Sequence, residues 1–332
     1  MARSAVPFPS RRRALAAALG LAAVAAAPAW AQRGNPVMRL IVPFAPGGGN
    51  DVLGRQMAHS LGEMFKMDVI VENKPGAGGN LGTEQVVHAS ARSNMFLLGH
   101  TGTVSINPVL YKNLKFDAST DLQPVAMFAS SSLLLVVPEK SPIRSVQQLS
   151  DTLRRKGGDM NFASSGTGTG GHLTGEMLLQ VLGAKALHVP YKGTAPALTD
   201  VAGGQVDFCF SVIPAAMAMV KGGKLRALAV TSPKRMNLLP DVPTMGESGV
   251  PELKGFESTL TYGILAPKSV GADVVADLER KILDVAATPE FQSRLVVEGA
   301  EALMGGSASY GRRIQEESVK WGRVIKTAGV SV

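Results

Sequence analysis

The chain has 332 residues, 45% hydrophobic and only 5% aromatic, with 34 Lys and Arg against 26 Asp and Glu. Four of those arginines (Arg3, Arg11, Arg12 and Arg13) and no acid fall in the first 31 residues, which leaves 30 basic against 26 acidic residues beyond them, a net of +4. So mild and scattered an excess, with so few aromatics, excludes a nucleic-acid surface, and the single cysteine, Cys209, excludes an intrachain disulfide or a cysteine-built metal cluster.

The chain opens on a targeting segment, residues 1–31. Arg11, Arg12 and Arg13 form its basic region, and residues 14–27 are an apolar run too short to anchor in a bilayer. Ala29-Trp30-Ala31 is an A-x-A cleavage site. The arginine run fits either the general secretory or the twin-arginine route. No later stretch reaches the length of a membrane span, so a soluble product is expected.

Residues 38–44 (MRLIVPF) read as a buried strand, 45–50 (APGGGN) as a glycine turn, and 51 onward as a helix with Leu53, Met57, Leu61 and Met64 on one face. A helix that starts directly after a glycine turn presents unpaired N–H groups and the positive end of its dipole, which suits a carboxylate or a phosphate. A short strand 69–71, a glycine turn 73–80 (NKPGAGGN), a helix 81–91, a strand 95–99 and a polar loop 101–107 (TGTVSIN) follow. Strand 133–137, helix 146–155 and strand 160–163 then lead into a second glycine loop, 164–171 (SSGTGTGG). Beyond it come helix 172–182, strand 188–190, helix 195–202, strand 206–210, with Cys209 as a small buried hydrophobe, and strand 225–230. A proline-rich connection 233–251, strand 262–266 and amphipathic helices over 273–287 and 307–328 complete the chain, the last anchored by Tyr310, Ile314, Val319 and Trp321. Repeated strand–helix alternation predicts an α/β fold with mostly parallel sheets flanked by helices, and the length suits two domains.

In the second loop Gly166-x-Gly168-x-x-Gly171 has the spacing of a dinucleotide fingerprint. The next strand, however, ends in Val189-Pro190-Tyr191-Lys192, with no acid for a ribose, and the chain has no G-x-x-x-x-G-K-[ST] loop, so no cofactor is expected. The five histidines (His59, His88, His100, His172 and His188) lack zinc-enzyme spacing, so no metal is expected either. What the loop offers is the hydroxyls of Ser164, Ser165, Thr167 and Thr169 and the amides of a helix N-terminus, suited to an oxyanion in a water-poor cleft. The plainer alternative is that the glycines only turn the chain and the hydroxyls cap the helix.

Residues 42–51 (VPFAPGGGND), 72–80 (ENKPGAGGN), 161–173 (NFASSGTGTGGHL) and 188–193 (HVPYKG) resemble the periplasmic receptors of tripartite tricarboxylate transporters, the Bug-type solute-binding proteins. Residues 203–207 (GGQVD), 225–231 (LRALAVT) and 239–244 (LPDVPT) match in the same order, so the resemblance covers essentially the whole chain after residue 31. It implies a two-domain periplasmic-binding-protein fold of the type II, Venus-flytrap kind. Residues 32–131 plus 256–332 would form one domain and 132–255 the other, with the ligand cleft between them. The chain should leave the first domain near 130–133 and return near 256–262, because the C-terminal helices need the first sheet to pack on.

The resemblance further implies a small organic carboxylate as ligand, held by backbone amides, hydroxyls and waters, and membrane permease subunits as partners of a monomeric receptor. Carried over, the site comprises Phe44, Gly47, Gly48, Asn50 and Asp51 in the first loop, Thr101 and Thr103 between, and Ser164, Thr167, Gly168, Thr169, His172 and Ser211 in the second half. Asp51 reads as the helix N-cap rather than a ligand contact, since an anion would repel it. His172 fits a cap, a supporting donor or a ligand contact. Three positions depart from the family: Asn50 stands where Thr or Ser is usual, Gly171 where Ser is frequent, and Ser211 where an aspartate is common. In amino-acid binders that aspartate meets the ligand's ammonium group, so Ser211 argues against an amino-acid ligand.

No residue receives a catalytic role. An exported serine hydrolase would need His172 beside Ser164 or Ser165, and there is no G-x-S-x-G elbow. A receptor that serves a two-component sensor instead of uptake would show the same ligand-binding residues. The A-x-A site predicts a mature chain that begins at Gln32. Intact mass of the exported protein checks this, and retention of Arg11 to Arg13 would contradict it.

Overall fold

A single strand ties the molecule together. In a computed structural model that describes residues 37–156 and 158–332, strand β4 (Leu122–Pro138) is 17 residues long and changes neighbours midway. The expected targeting segment, residues 1–31, and the expected cleavage site lie outside the described residues. Up to Ser132, β4 pairs antiparallel with β9 (Thr259–Pro267) and, on its other edge, with β10 (Ala300–Gly306). From Leu133 onward it pairs antiparallel with β7 (Phe208–Val212) and β8 (Leu225–Val230). The strand is buried along almost its whole length, and its sequence, interrupted by Gln123 and by Ser130 to Ser132, does not alternate.

The outer strands on each side are parallel. β1 (Met38–Val42) lies between β2 (Val69–Asn73) and β3 (Met95–His100), and β3 joins β9 antiparallel. On the far side β5 (Asn161–Ser164) lies between β6 (Leu187–Pro190) and β7. The sheet order is therefore β2-β1-β3-β9-β4-β7-β5-β6, with β8 and β10 added on β4. The sheet is mixed: parallel pairs come from strand–helix–strand units, and the antiparallel ones come from β4 and β9, which carry the chain between the two halves.

The helices bury the stripes their periodicity marks, with two corrections. In Gly49–Phe65 the buried residues are Asp51, Leu53, Gly54, Met57, Ala58 and Leu61, while Met64 is 45% exposed. In Ser307–Ala328 Tyr310, Ile314, Trp321, Val324 and Ile325 face inward, Val319 is 56% exposed, and the acid Glu317 takes a buried place in the stripe. Residues 101–107 are not a loop. Gly102–Ile106 form a π turn that runs straight into the short helix Asn107–Leu110. Two helices without strong periodicity, Ile213–Lys221 and Pro289–Val297, and the weakly alternating strand β10 complete the fold. Among the described residues no helix is long and apolar enough to cross a membrane.

The last helix seats on the first sheet through Tyr310, which lies across two strand glycines. A methyl group on Gly263 would fall 2.5 Å from the Tyr310 ring and 2.6 Å from the Ala126 carbonyl oxygen. The backbone oxygen cannot move aside. Gly263→Ala is expected to destabilise the fold by about 1–3 kcal/mol, as overpacked core sites do, measured by urea denaturation.

Candidate ligand-binding site

Residues of both glycine loops line one cavity of about 320 Å³. The first lies at the C-terminal end of β1, the second at that of β5, the end of a parallel sheet where helix N-termini converge. Neither following helix has a side-chain cap. Gly49–Phe65 starts from Gly48 and Gly170–Leu182 from Thr169, each without a capping hydrogen bond, so their first N–H groups remain available. A methyl group on Gly168 would lie 2.3 Å from Leu110 Cδ2, so here the second loop touches the other half of the molecule.

Of the residues expected at the site, Phe44, Asn50, Thr167, Gly168, Thr169 and Ser211 line the cavity. Asn50 Oδ1 is buried without a hydrogen-bond partner among the described residues. Thr169 Oγ1 donates to the Gly166 carbonyl (2.7 Å), and Ser211 Oγ donates to the Val212 carbonyl (3.3 Å). Gly47, Gly48, Asp51, Thr101, Thr103, Ser164 and His172 stand outside the wall.

Asp51 is not the N-cap. It sits three residues beyond Gly48, and its carboxylate folds back to accept from the Gly47 N–H (2.9 Å), from Arg55 Nε (3.0 Å) and from Asn73 Nδ2 (2.8 Å). Burial works against the charged form, but these donors outweigh it and hold the carboxyl below its usual range. The first loop thus takes its shape from a buried anion behind it. The Thr101 and Thr103 hydroxyls are likewise committed to the protein. Thr101 Oγ1 donates to Glu317 Oε2 (2.8 Å) and accepts from the Thr261 N–H (2.7 Å), while Thr103 Oγ1 donates to the His100 carbonyl (3.0 Å).

Glu317 gathers this region. It also accepts from Ser105 Oγ (3.2 Å), Thr261 Oγ1 (2.6 Å) and Arg313 Nε (2.9 Å). The π turn it holds brings His100 and Gly102 to the cavity wall. The Gly102 N–H donates to His100 Nδ1 (3.0 Å), which places the His100 proton on Nε2. Burial pushes this imidazole down to about 4, so it is a neutral donor. Phe44 meets its edge (ring centroids 5.6 Å) and Tyr262 tilts against it (5.0 Å).

His100, Asn107, Leu260 and Tyr262 line the cavity and were not anticipated. His100 ends a parallel strand, the position where α/β folds place ligand-facing groups, and that was the available signal. Among the described residues none on the wall is Asp, Glu, Lys or Arg. Gly171 has a steric reason: a Cβ there would lie 2.5 Å from the Phe210 carbonyl oxygen, so a serine would push the helix off β7.

The serine–histidine pair differs from expectation. His188, not His172, lies 2.7 Å from Ser164 Oγ, but Ser164 is 0% exposed and does not line the cavity. A nucleophile must reach its substrate, and this one does not. Cys209 does line the wall, with its thiol pushed up to about 12 by burial, an unreactive group.

Residues 53–330 match the family described as tripartite tricarboxylate transporter family receptor. The chain is similar to Protein BugT of Bordetella pertussis, 30% identical over 95% of each chain. Its fold is similar to that of the periplasmic binding protein BugD (35% identity, TM-score 0.75, covering 90% of this chain and 99% of that one). It is also similar to R. palustris Rpa4515 with adipate (31% identity, TM-score 0.78, covering 89% and 97%).

Asp51 supplies the test of the first loop. A carboxyl whose folded pKa is depressed adds stability above its unfolded pKa, and that stability is lost as pH falls through the lower folded value. Asp51→Asn is expected to cost about 1–3 kcal/mol at neutral pH and to remove part of the acid sensitivity, read from urea denaturation at neutral and acidic pH.

Proposed function

The chain belongs to the tripartite tricarboxylate transporter receptor family, and from that membership we propose that it is a periplasmic receptor that captures a small organic carboxylate between the two glycine loops and delivers it to membrane permease subunits. The observation that carries the reading is the pair of uncapped helix N-termini at one cavity with no charged side chain on its wall. An anion there is met by backbone N–H groups, the Thr167 hydroxyl and the neutral His100 Nε2–H, which is how helix N-termini hold carboxylates. The adipate held by the R. palustris relative supports the same ligand class.

In this reading β4 and the segment leading into β9 are the connections between two lobes, 37–131 with 256–332 and 132–255, which close over the ligand. The receptor performs no chemistry. The buried Ser164 and the inert Cys209 thiol support that.

The ligand carries no amino group. Ser211 offers a neutral hydroxyl, and no acid on the wall could pair with an ammonium ion, whose burial unpaired is costly. Adipate and 2-aminoadipate differ by that group alone. In a thermal-shift series adipate at a hundred times its dissociation constant should add about 2.7 kcal/mol of stability, and 2-aminoadipate should compete weakly. Stronger binding of the amino acid would overturn the ligand class.

A further inference from the structure

Two imidazoles lie behind the second loop, and anion binding by the loop's own amides does not account for them. His172 comes from the helix Gly170–Leu182 and His188 from β6, and their rings stack with centroids 3.6 Å apart and planes within 14°. Phe162 flanks both, 5.0 Å from His188 and 6.2 Å from His172. Each imidazole secures one part of the loop. The Gly168 N–H donates to His172 Nδ1 (3.0 Å). Ser164 Oγ accepts from the Gly166 N–H (3.1 Å) and lies 2.7 Å from His188 Nε2. Gly166 and Gly168 both hold positive φ, +142° and +77°, so the loop's shape depends on what fixes them.

The hydrogen bond from Gly168 settles the tautomer of His172: a lone pair on Nδ1 and the proton on Nε2, which faces Glu176 Oε1 at 3.7 Å. A second proton on His172 must go to Nδ1, where it would confront the Gly168 N–H, donor against donor. Protons on both rings would stack two cations at van der Waals distance. We propose that the His172–His188 stack is a positioning device for the ligand loop, holding Gly166 and Gly168 in place only while both rings are neutral, so that the grip on an anion loosens as pH falls. The inference rests on the reading that this loop binds the ligand's anionic group.

Burial favours the neutral form of His188, while Glu176 beside His172 Nε2 attracts positive charge to the pair. Burial, and then the neighbouring His172, push His188 from 6.5 down to about 4. The neutral form of His188 therefore has its full advantage above about 6.5 and loses it as pH falls toward about 4. Of the ionisable groups on the packed elements, Glu176 faces the already protonated nitrogen of His172. Cys209 on β7 stays a neutral thiol, and Asp207 before it accepts from the Asn161 N–H. Tyr191 after β6 bonds Asp200, and on the last helix Lys320 is engaged by the Glu257 carbonyl.

The test follows the Gly168 amide by nitrogen-15 NMR from about pH 4 to about pH 8 in the mature protein without ligand, with adipate affinity measured alongside by calorimetry. His172→Asn keeps an acceptor where Nδ1 stood but does not titrate, and His172→Phe keeps the stack without the acceptor. In the wild type, Gly168 exchange protection should collapse in the acid range, with about tenfold loss of adipate affinity beyond that of the Asn variant. The Asn variant should keep Gly168 protection and show only the affinity loss that adipate's own protonation brings, and the Phe variant should lack both protection and affinity at neutral pH. Gly168 protection that is independent of pH in the wild type, or an Asn variant that follows the wild-type profile, would overturn the proposal. The amide reports without any ligand, so failure of adipate to bind would count against the carboxylate reading alone.

Discussion

A cavity whose wall has no charged side chain offers an anion nothing but fixed dipoles. Backbone amides are effective donors only when they are already aimed, because a loop that must reorganise spends the interaction on its own ordering. That constraint explains where the polar groups of this protein sit. Asp51 is behind the first loop, Glu317 behind the π turn, and the histidine stack behind the second loop, each outside the wall and each bonded to backbone or hydroxyls that shape it. The two carboxylates, Asp51 and Glu317, are thus kept one layer back, where they orient donors.

Glu317 illustrates why such a group persists in an apolar stripe. A buried carboxylate is costly unless its oxygens are satisfied, and here three hydroxyls and Arg313 do so. The same bonds join the last helix, strand β9 and the π turn into one unit. Any displacement of one would leave a buried acceptor unpaired, which costs more than the bond itself contributes.

Local pattern was legible where it was strong. The two glycine loops, the helices after them and the last helix follow from spacing and punctuation. Residues 101–107 were misread for a physical reason: their alternating hydroxyls look like a loop until Glu317, 216 residues away, is there to bond Thr101. The first half of β4 was missed because Ala129 and three successive serines dilute its apolar run. Which hydroxyls reach the cavity was not legible either. Ser164 and Thr167 lie three residues apart in one loop, and the turn between them sends one under the loop and the other to the wall. The role of Asp51 was half legible, since its position near a helix start is plain but the fold-back to Gly47 depends on Asn73 and Arg55.

The path of β4 also sets an order in time. The strands β7, β5, β6 and β8 and the second half of β4 lie within residues 133–230, so that half has all its sheet neighbours as soon as this stretch has been made. The strands β1, β2 and β3 come earlier in the chain, yet their sheet lacks β9, β10 and the helix Ser307–Ala328 until the last residues exist. The portion synthesised first is therefore completed last, and its apolar edges must wait, unpaired, for the C-terminus to arrive.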